Sequence, residues 1–155
     1  MSKGPQHIHV TYIKTTPERL WQALTDGAVT KKYYFGGDVR SDWKNGSAYH
    51  FTGPLGEAQI EGKVVESDPP RKLVTTFNAV WDDDVKKDKA SMATFEIEPM
   101  GDVCKLTVIH SGFEGETATY HQVTGGWPLI VASLKSLLET GQALSASQPR
   151  TESAV

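Results

Sequence analysis

The stretch from Tyr120 to Gly141 constrains this chain more than any other, because it is the one long helical pattern in it. Tyr120, Val123, Trp127, Ile130, Leu134, Leu137 and Leu138 recur at spacings of three and four, which puts them on a single stripe. So apolar a stripe has to be buried against something. Glu116 and Thr117 supply an acidic, capping-competent start, and Gly141 follows the last apolar turn as a stop. Pro128 interrupts the pattern by removing one backbone donor and crowding the preceding turn. The stripe nevertheless continues back through Tyr120 and Val123, which predicts one helix kinked near Thr124 to Trp127 rather than a helix that begins at Pro128. Gly125 and Gly126, beside the expected kink, would let another backbone or a ligand come close.

The rest of the chain supplies what could surround that helix. His7 to Lys14 alternates and is rich in β-branched residues, which predicts a first strand. Thr15-Thr16-Pro17-Glu18 then opens a short helix with Leu20, Trp21 and Leu24 on one face, and Thr25-Asp26 caps a second that ends at Gly36-Gly37. From there to Gly112 the period changes to two. Turn signals at Lys44-Asn45-Gly46, Gly53-Pro54-Leu55-Gly56, Asp68-Pro69-Pro70, Asp82-Asp83-Asp84 and Met100-Gly101-Asp102 divide the stretch into six strands.

Parity assigns the faces. Cys104, Leu106, Val108 and His110 share one side of the last strand, Ala93, Phe95 and Ile97 the matching side of the one before, and Leu73, Thr75, Phe77, Ala79 and Trp81 that of the next. The opposite faces are polar or charged. An antiparallel meander with one wet face needs a cover for its dry face, and the Tyr120 to Leu138 stripe is the apolar candidate. The expectation is an α+β chain whose seven strands wrap the last helix.

At 155 residues the chain is long enough for one domain, burying roughly 68–70% of the unfolded surface. That domain is expected over residues 7–144, with a flexible tail at 1–6 and a polar, disordered one at 145–155. A formal net charge of -3 and a pI near 5.9 leave no basic field for a phosphate backbone, which argues against a nucleic-acid partner. Cys104 is the sole cysteine, so no internal disulfide or thiolate cluster forms, in keeping with a reducing compartment. No apolar run follows Lys3 and none elsewhere reaches bilayer length, so membrane insertion is not expected and the location is read as cytoplasmic.

Four pieces carry a resemblance to a known family: Thr16-Pro17-Glu18-Arg19-Leu20-Trp21-Gln22-Ala23-Leu24-Thr25, Asp68-Pro69-Pro70-Arg71-Lys72-Leu73-Val74, His110-Ser111-Gly112-Phe113, and Gly126-Trp127-Pro128 through Leu137-Leu138-Glu139-Thr140-Gly141. In that order they resemble the Hsp 90 ATPase activator homologue family, within the START-like (SRPBCC) helix-grip superfamily. The resemblance covers about residues 7 to 141. It implies a curved antiparallel sheet around a long C-terminal helix, with an apolar cavity between them that relatives use for lipids, polyketides, hormones or partner proteins.

The candidate lining follows from the dry face. Tyr33, Tyr34, Phe35, Tyr49, Phe51, Phe77, Trp81, Phe95 and Trp127 are many rings for one small interior, joined by Ile130 and Leu134 of the helix stripe. Thr75 and His110 add the few polar groups that would orient a ligand. A small hydrophobic ligand, aromatic or lipid-like, is therefore the first expectation, with the two short helices and the Trp43 to Phe51 region forming the mouth. The second is an enzyme of the same fold, a cyclase, dehydratase or hydrolase, in which His110 moves a proton. The third is a protein-interaction or stress-response module related to chaperone ATPase activators, meeting a protein partner or a second copy as a homodimer. No residue set assembles a catalytic nucleophile with its base, and no histidine pair has metal-ligand spacing with a carboxylate, so no catalytic group, metal or cofactor is assigned.

Overall fold

In the computed structural model, residues 4–145 are described; residues 1–3 and 146–155, which carry most of the two expected tails, lie outside them. The elements run β1 (His7–Ile13), α1 (Pro17–Thr25), α2 (Gly27–Tyr33), β2 (Asp38–Ser41), β3 (Ala48–Thr52), β4 (Ala58–Asp68), β5 (Lys72–Ala79), α3 (Asp83–Lys86), β6 (Ser91–Met100), β7 (Val103–Ser111) and α4 (Ala118–Thr140). The seven strands form one sheet in the order β1-β7-β6-β5-β4-β3-β2, antiparallel at every neighbour. The chain is the α+β arrangement expected, a curved sheet gripping a C-terminal helix. Register shifts between Phe51 and Thr52 and between Val64 and Glu66 bend the half of the sheet built from β3 and β4.

Local chemistry places the helices. Thr16 caps α1 by accepting from the Arg19 N–H at 3.2 Å, with Pro17 in the first turn. Asp26 caps α2 by accepting from Ala28 at 2.9 Å. The Asp82-Asp83-Asp84 run, marked in the sequence as a turn, opens the one-turn helix α3. Asp82 accepts from the Val85 N–H at 2.9 Å, and Val85 is 1% exposed, so a cap and an apolar anchor fold the loop onto the domain.

Helix α4 runs without a break through Pro128, which sits on its exposed side. Thr117 caps it through Tyr120 N–H at 3.1 Å, and Gly141 closes it in the left-handed region (φ 87) by donating to Leu137 O at 2.9 Å. Its buried side carries Val123, Trp127, Ile130, Val131 and Leu134. Gly125 and Gly126 differ from expectation: a side chain added at either would meet nothing within 4 Å, so no backbone approaches them. They fall off the stripe, on the side of the helix away from the sheet. The helix backbone comes closest to β1, α2 and α3 and stands further from the central strands, which leaves room over the middle of the sheet.

Candidate functional site

That room is an apolar recess. Its wall is built by Leu24 from α1, Tyr33 and Tyr34 at the end of α2, Trp43 from the turn after β2, Tyr49 and Phe51 of β3, Leu73, Thr75 and Phe77 of β5, Ala93 and Phe95 of β6, Leu106 and Val108 of β7, and Trp127, Ile130, Val131 and Leu134 of α4. Counting its mouth, it encloses about 550 Å³ free of atoms, of which about 40 Å³ can hold the centre of a water molecule. It is thus a narrow slot. No lining side chain is charged.

Each ring is held in place by its own contacts. The Tyr33 hydroxyl donates to Ala23 O at 2.7 Å, and the Tyr49 hydroxyl to Thr76 O at 2.6 Å. Tyr49 lies over Gly62, where an added Cβ would stand 2.7 Å from its ring and 2.4 Å from Thr76 O, so only glycine leaves the ring its seat. Trp43 adopts a left-handed backbone (φ 58), uncommon for a bulky residue, and is fixed by Nε1 donating to Thr25 O at 3.0 Å and by a stack on Tyr49 at 6.2 Å. Tyr34 packs on Phe51 at 4.5 Å and meets Trp127 edge-on at 6.1 Å. Burial pushes the phenols of Tyr33, Tyr34 and Tyr49 upward, so all three remain protonated donors.

Of the residues expected from sequence, Tyr33, Tyr34, Tyr49, Phe51, Thr75, Phe77, Phe95, Trp127, Ile130 and Leu134 come together on this wall, whereas Phe35, Trp81 and His110 do not. Phe35 takes a left-handed conformation (φ 51) followed by Gly36 (φ 76), and this turn carries it off the wall. Trp81 lies beyond the end of β5, 38% exposed, with its Nε1 donating to Gln122 Oε1 of α4 at 2.7 Å. Leu24, Leu73, Ala93, Leu106, Val108 and Val131 line the recess without having been singled out, and Trp43, expected only within the region of the mouth, lines it too. Strand parity already placed Leu73, Ala93, Leu106 and Val108 on the dry face, while no periodicity marked Trp43, which follows β2 in a turn.

His110 is fully buried, packed against Phe77 and Trp127, and is not part of the wall. Its Nδ1 accepts from Trp127 Nε1 at 3.0 Å, so the proton sits on Nε2, 2.7 Å from Ser91 Oγ. Both ring nitrogens are occupied by protein. Burial, and then the nearby His7, push its pKa down to about 3, which keeps it neutral. His7 and His9 stack at 6.3 Å, and no group of three or more His, Cys, Asp or Glu side chains converges among the described residues. No helix among those residues is long and apolar enough to cross a membrane.

No curated protein matches the sequence. The fold is similar to the crystal structure of protein MLL2253 from Mesorhizobium loti, at 24% identity and TM-score 0.74 over 87% of this chain and 97% of that one. It is similar also to the solution structure of the Aha1 dimer from Colwellia psychrerythraea, at 22% identity and TM-score 0.72 over 90% and 99%. CalU16 from Micromonospora echinospora, at 17% identity and TM-score 0.70 over 92% and 78%, shares the fold as well. Residues 14–139 match the family described as "Activator of Hsp90 ATPase homolog 1-like protein", and the chain therefore belongs to that family.

Proposed function

We propose that this chain binds a small, uncharged apolar molecule, aromatic or lipid-like, in the recess between the sheet and α4. The observation that carries this reading is the composition of the wall: eight aromatic rings, two aliphatic layers, and no charged group. The enzyme reading finds less support, because His110 has no free nitrogen and does not reach the slot. Native mass spectrometry of freshly purified protein, followed by thermal-shift titration with uncharged aromatics and long-chain alcohols, tests the proposal. A retained small molecule, or a melting temperature that climbs with ligand concentration, is expected. No retained molecule and no stabilisation across the panel would refute it.

A second reading, self-association, is favoured by the edge strand β1. Ile8, Val10 and Tyr12 project from its outer face, 52%, 45% and 47% exposed, and the similar Colwellia protein is described as a dimer. Sedimentation equilibrium of the wild type and of Val10→Lys tests it: a dimer lost in the variant is expected, and a monomeric wild type at all concentrations sinks the reading.

A further inference from the structure

We propose that Tyr34 selects, within the recess, ligands that carry an uncharged hydrogen-bond acceptor such as a ketone, ester or ether oxygen, by donating its hydroxyl proton to that atom. This inference rests on the binding reading above. The other ring donors on the aromatic wall are engaged within the protein. The Tyr33 hydroxyl is spent on Ala23 O (2.7 Å), the Tyr49 hydroxyl on Thr76 O (2.6 Å), the Trp43 indole on Thr25 O (3.0 Å) and the Trp127 indole on His110 Nδ1 (3.0 Å). Thr75 lies beside the Tyr49 phenol. The Tyr34 hydroxyl differs: among the described residues no group accepts from it.

The rest of Tyr34 is immobilised, which makes its hydroxyl a positioned donor. Its backbone N–H donates to Thr30 O at 2.8 Å, its carbonyl accepts from Gly37 N–H at 2.8 Å, and its ring is clasped between Phe51 and the edge of Trp127. A side chain already ordered loses little freedom when a ligand arrives. Burial keeps the phenol protonated, so Tyr34 gives a proton to a hydrogen bond and does not remove one from the ligand. An anionic ligand would find no cation on the wall, and a pure hydrocarbon would shut the hydroxyl away from any acceptor, which disfavours both.

The test uses a matched pair, 9-fluorenone and fluorene, planar molecules of nearly equal size that differ in one carbonyl. Calorimetric titration of the full chain is expected to show 9-fluorenone binding about 5–10-fold tighter than fluorene, with Tyr34→Phe abolishing that preference: 9-fluorenone binds more weakly than to the wild type and fluorene at least as tightly. Equal binding of both by the wild type, or a preference that survives in Tyr34→Phe, overturns the role of Tyr34 while leaving the binding proposal standing. If the wild type takes up neither probe, nor any other uncharged aromatic, the binding proposal itself fails and this inference with it. Should Tyr34→Phe not fold, the infrared carbonyl stretch of 9-fluorenone bound to the wild type decides. A shift to lower frequency than in hexane is expected, and an unshifted band overturns the proposal.

Discussion

The indole nitrogen of Trp127 donates to Nδ1 of His110 at 3.0 Å, and this bond ties helix α4 to strand β7 at the floor of the recess. From His110 the connection continues through Ser91 Oγ at 2.7 Å into β6. One face of the Trp127 ring system is thus a wall of the slot while its N–H is anchored behind it. Replacing Trp127 with Phe keeps a ring but strands a buried acceptor, which should cost about 1–3 kcal/mol, and Trp127→Ala should cost about 3–5 kcal/mol by adding a cavity. Urea unfolding measures both. A loss below about 0.5 kcal/mol in Trp127→Phe would show that the bond does not hold the helix to the sheet.

The same histidine should make the fold sensitive to acid. Its native pKa is depressed to about 3, whereas an unfolded histidine titrates near 6.5. Above pH 6.5 neither state takes a proton, and the full stability is present. As the pH falls below that, the unfolded chain binds a proton that the native one refuses until about pH 3, so stability drains away at roughly 1.4 kcal/mol per pH unit. His110→Gln can accept from Trp127 and donate to Ser91 without titrating. It should be less stable than the wild type at pH 7, with the gap closing at about that slope between pH 6 and pH 4. A gap independent of pH would mean that His110 is charged in the native state or free to titrate.

Strand parity put Leu106, Val108 and His110 on the dry face, and the helix stripe put Trp127, Ile130 and Leu134 opposite them, because both signals depend only on the periodicity of the backbone. That made the grip of sheet on helix legible, together with most of the slot's wall. What stayed hidden depended on where individual side chains end up. Phe35 and Trp43 sit in left-handed turns, where alternation says nothing about direction, and one turned away from the slot while the other turned towards it. His110 has the parity of a lining residue, yet it packs against Phe77 and Trp127 outside the slot's lining; a period of two assigns a face of the sheet, not the depth at which a side chain ends.

Gly62 supplies the seat for Tyr49, which predicts a specific weakness. In Gly62→Ala the new methyl would meet Thr76 O at 2.4 Å and the Tyr49 ring at 2.7 Å, so ring and strand must both give way. The expected loss is about 1–3 kcal/mol, with the Tyr49 to Thr76 bond broken. A double mutant with Tyr49→Leu, which removes the ring edge that the new methyl would meet, separates the causes. If the ring clash dominates, the two substitutions are strongly non-additive; simple addition would place the strain in the Thr76 backbone instead.

Gly125, Gly126 and Pro128 make the middle of α4 its weakest stretch. Two residues give up extra backbone entropy on folding and a third lacks the N–H that would bond Thr124 O, although Thr124 Oγ1 reaches back to Tyr120 O at 2.7 Å. Nothing packs on either glycine, so Gly126→Ala should raise stability by about 0.5–1 kcal/mol without steric conflict. Pro128, on the exposed side, should likewise stabilise the helix when replaced by Ala. Because Trp127 lies between these residues and forms part of the wall, flexing there is the direct way to widen a slot this narrow. Both variants are therefore expected to melt higher and to take up an apolar dye more slowly in stopped-flow mixing. A higher melting temperature with an unchanged association rate would instead move the gate to the Tyr34 and Trp43 rim, where the strained turns would have to open.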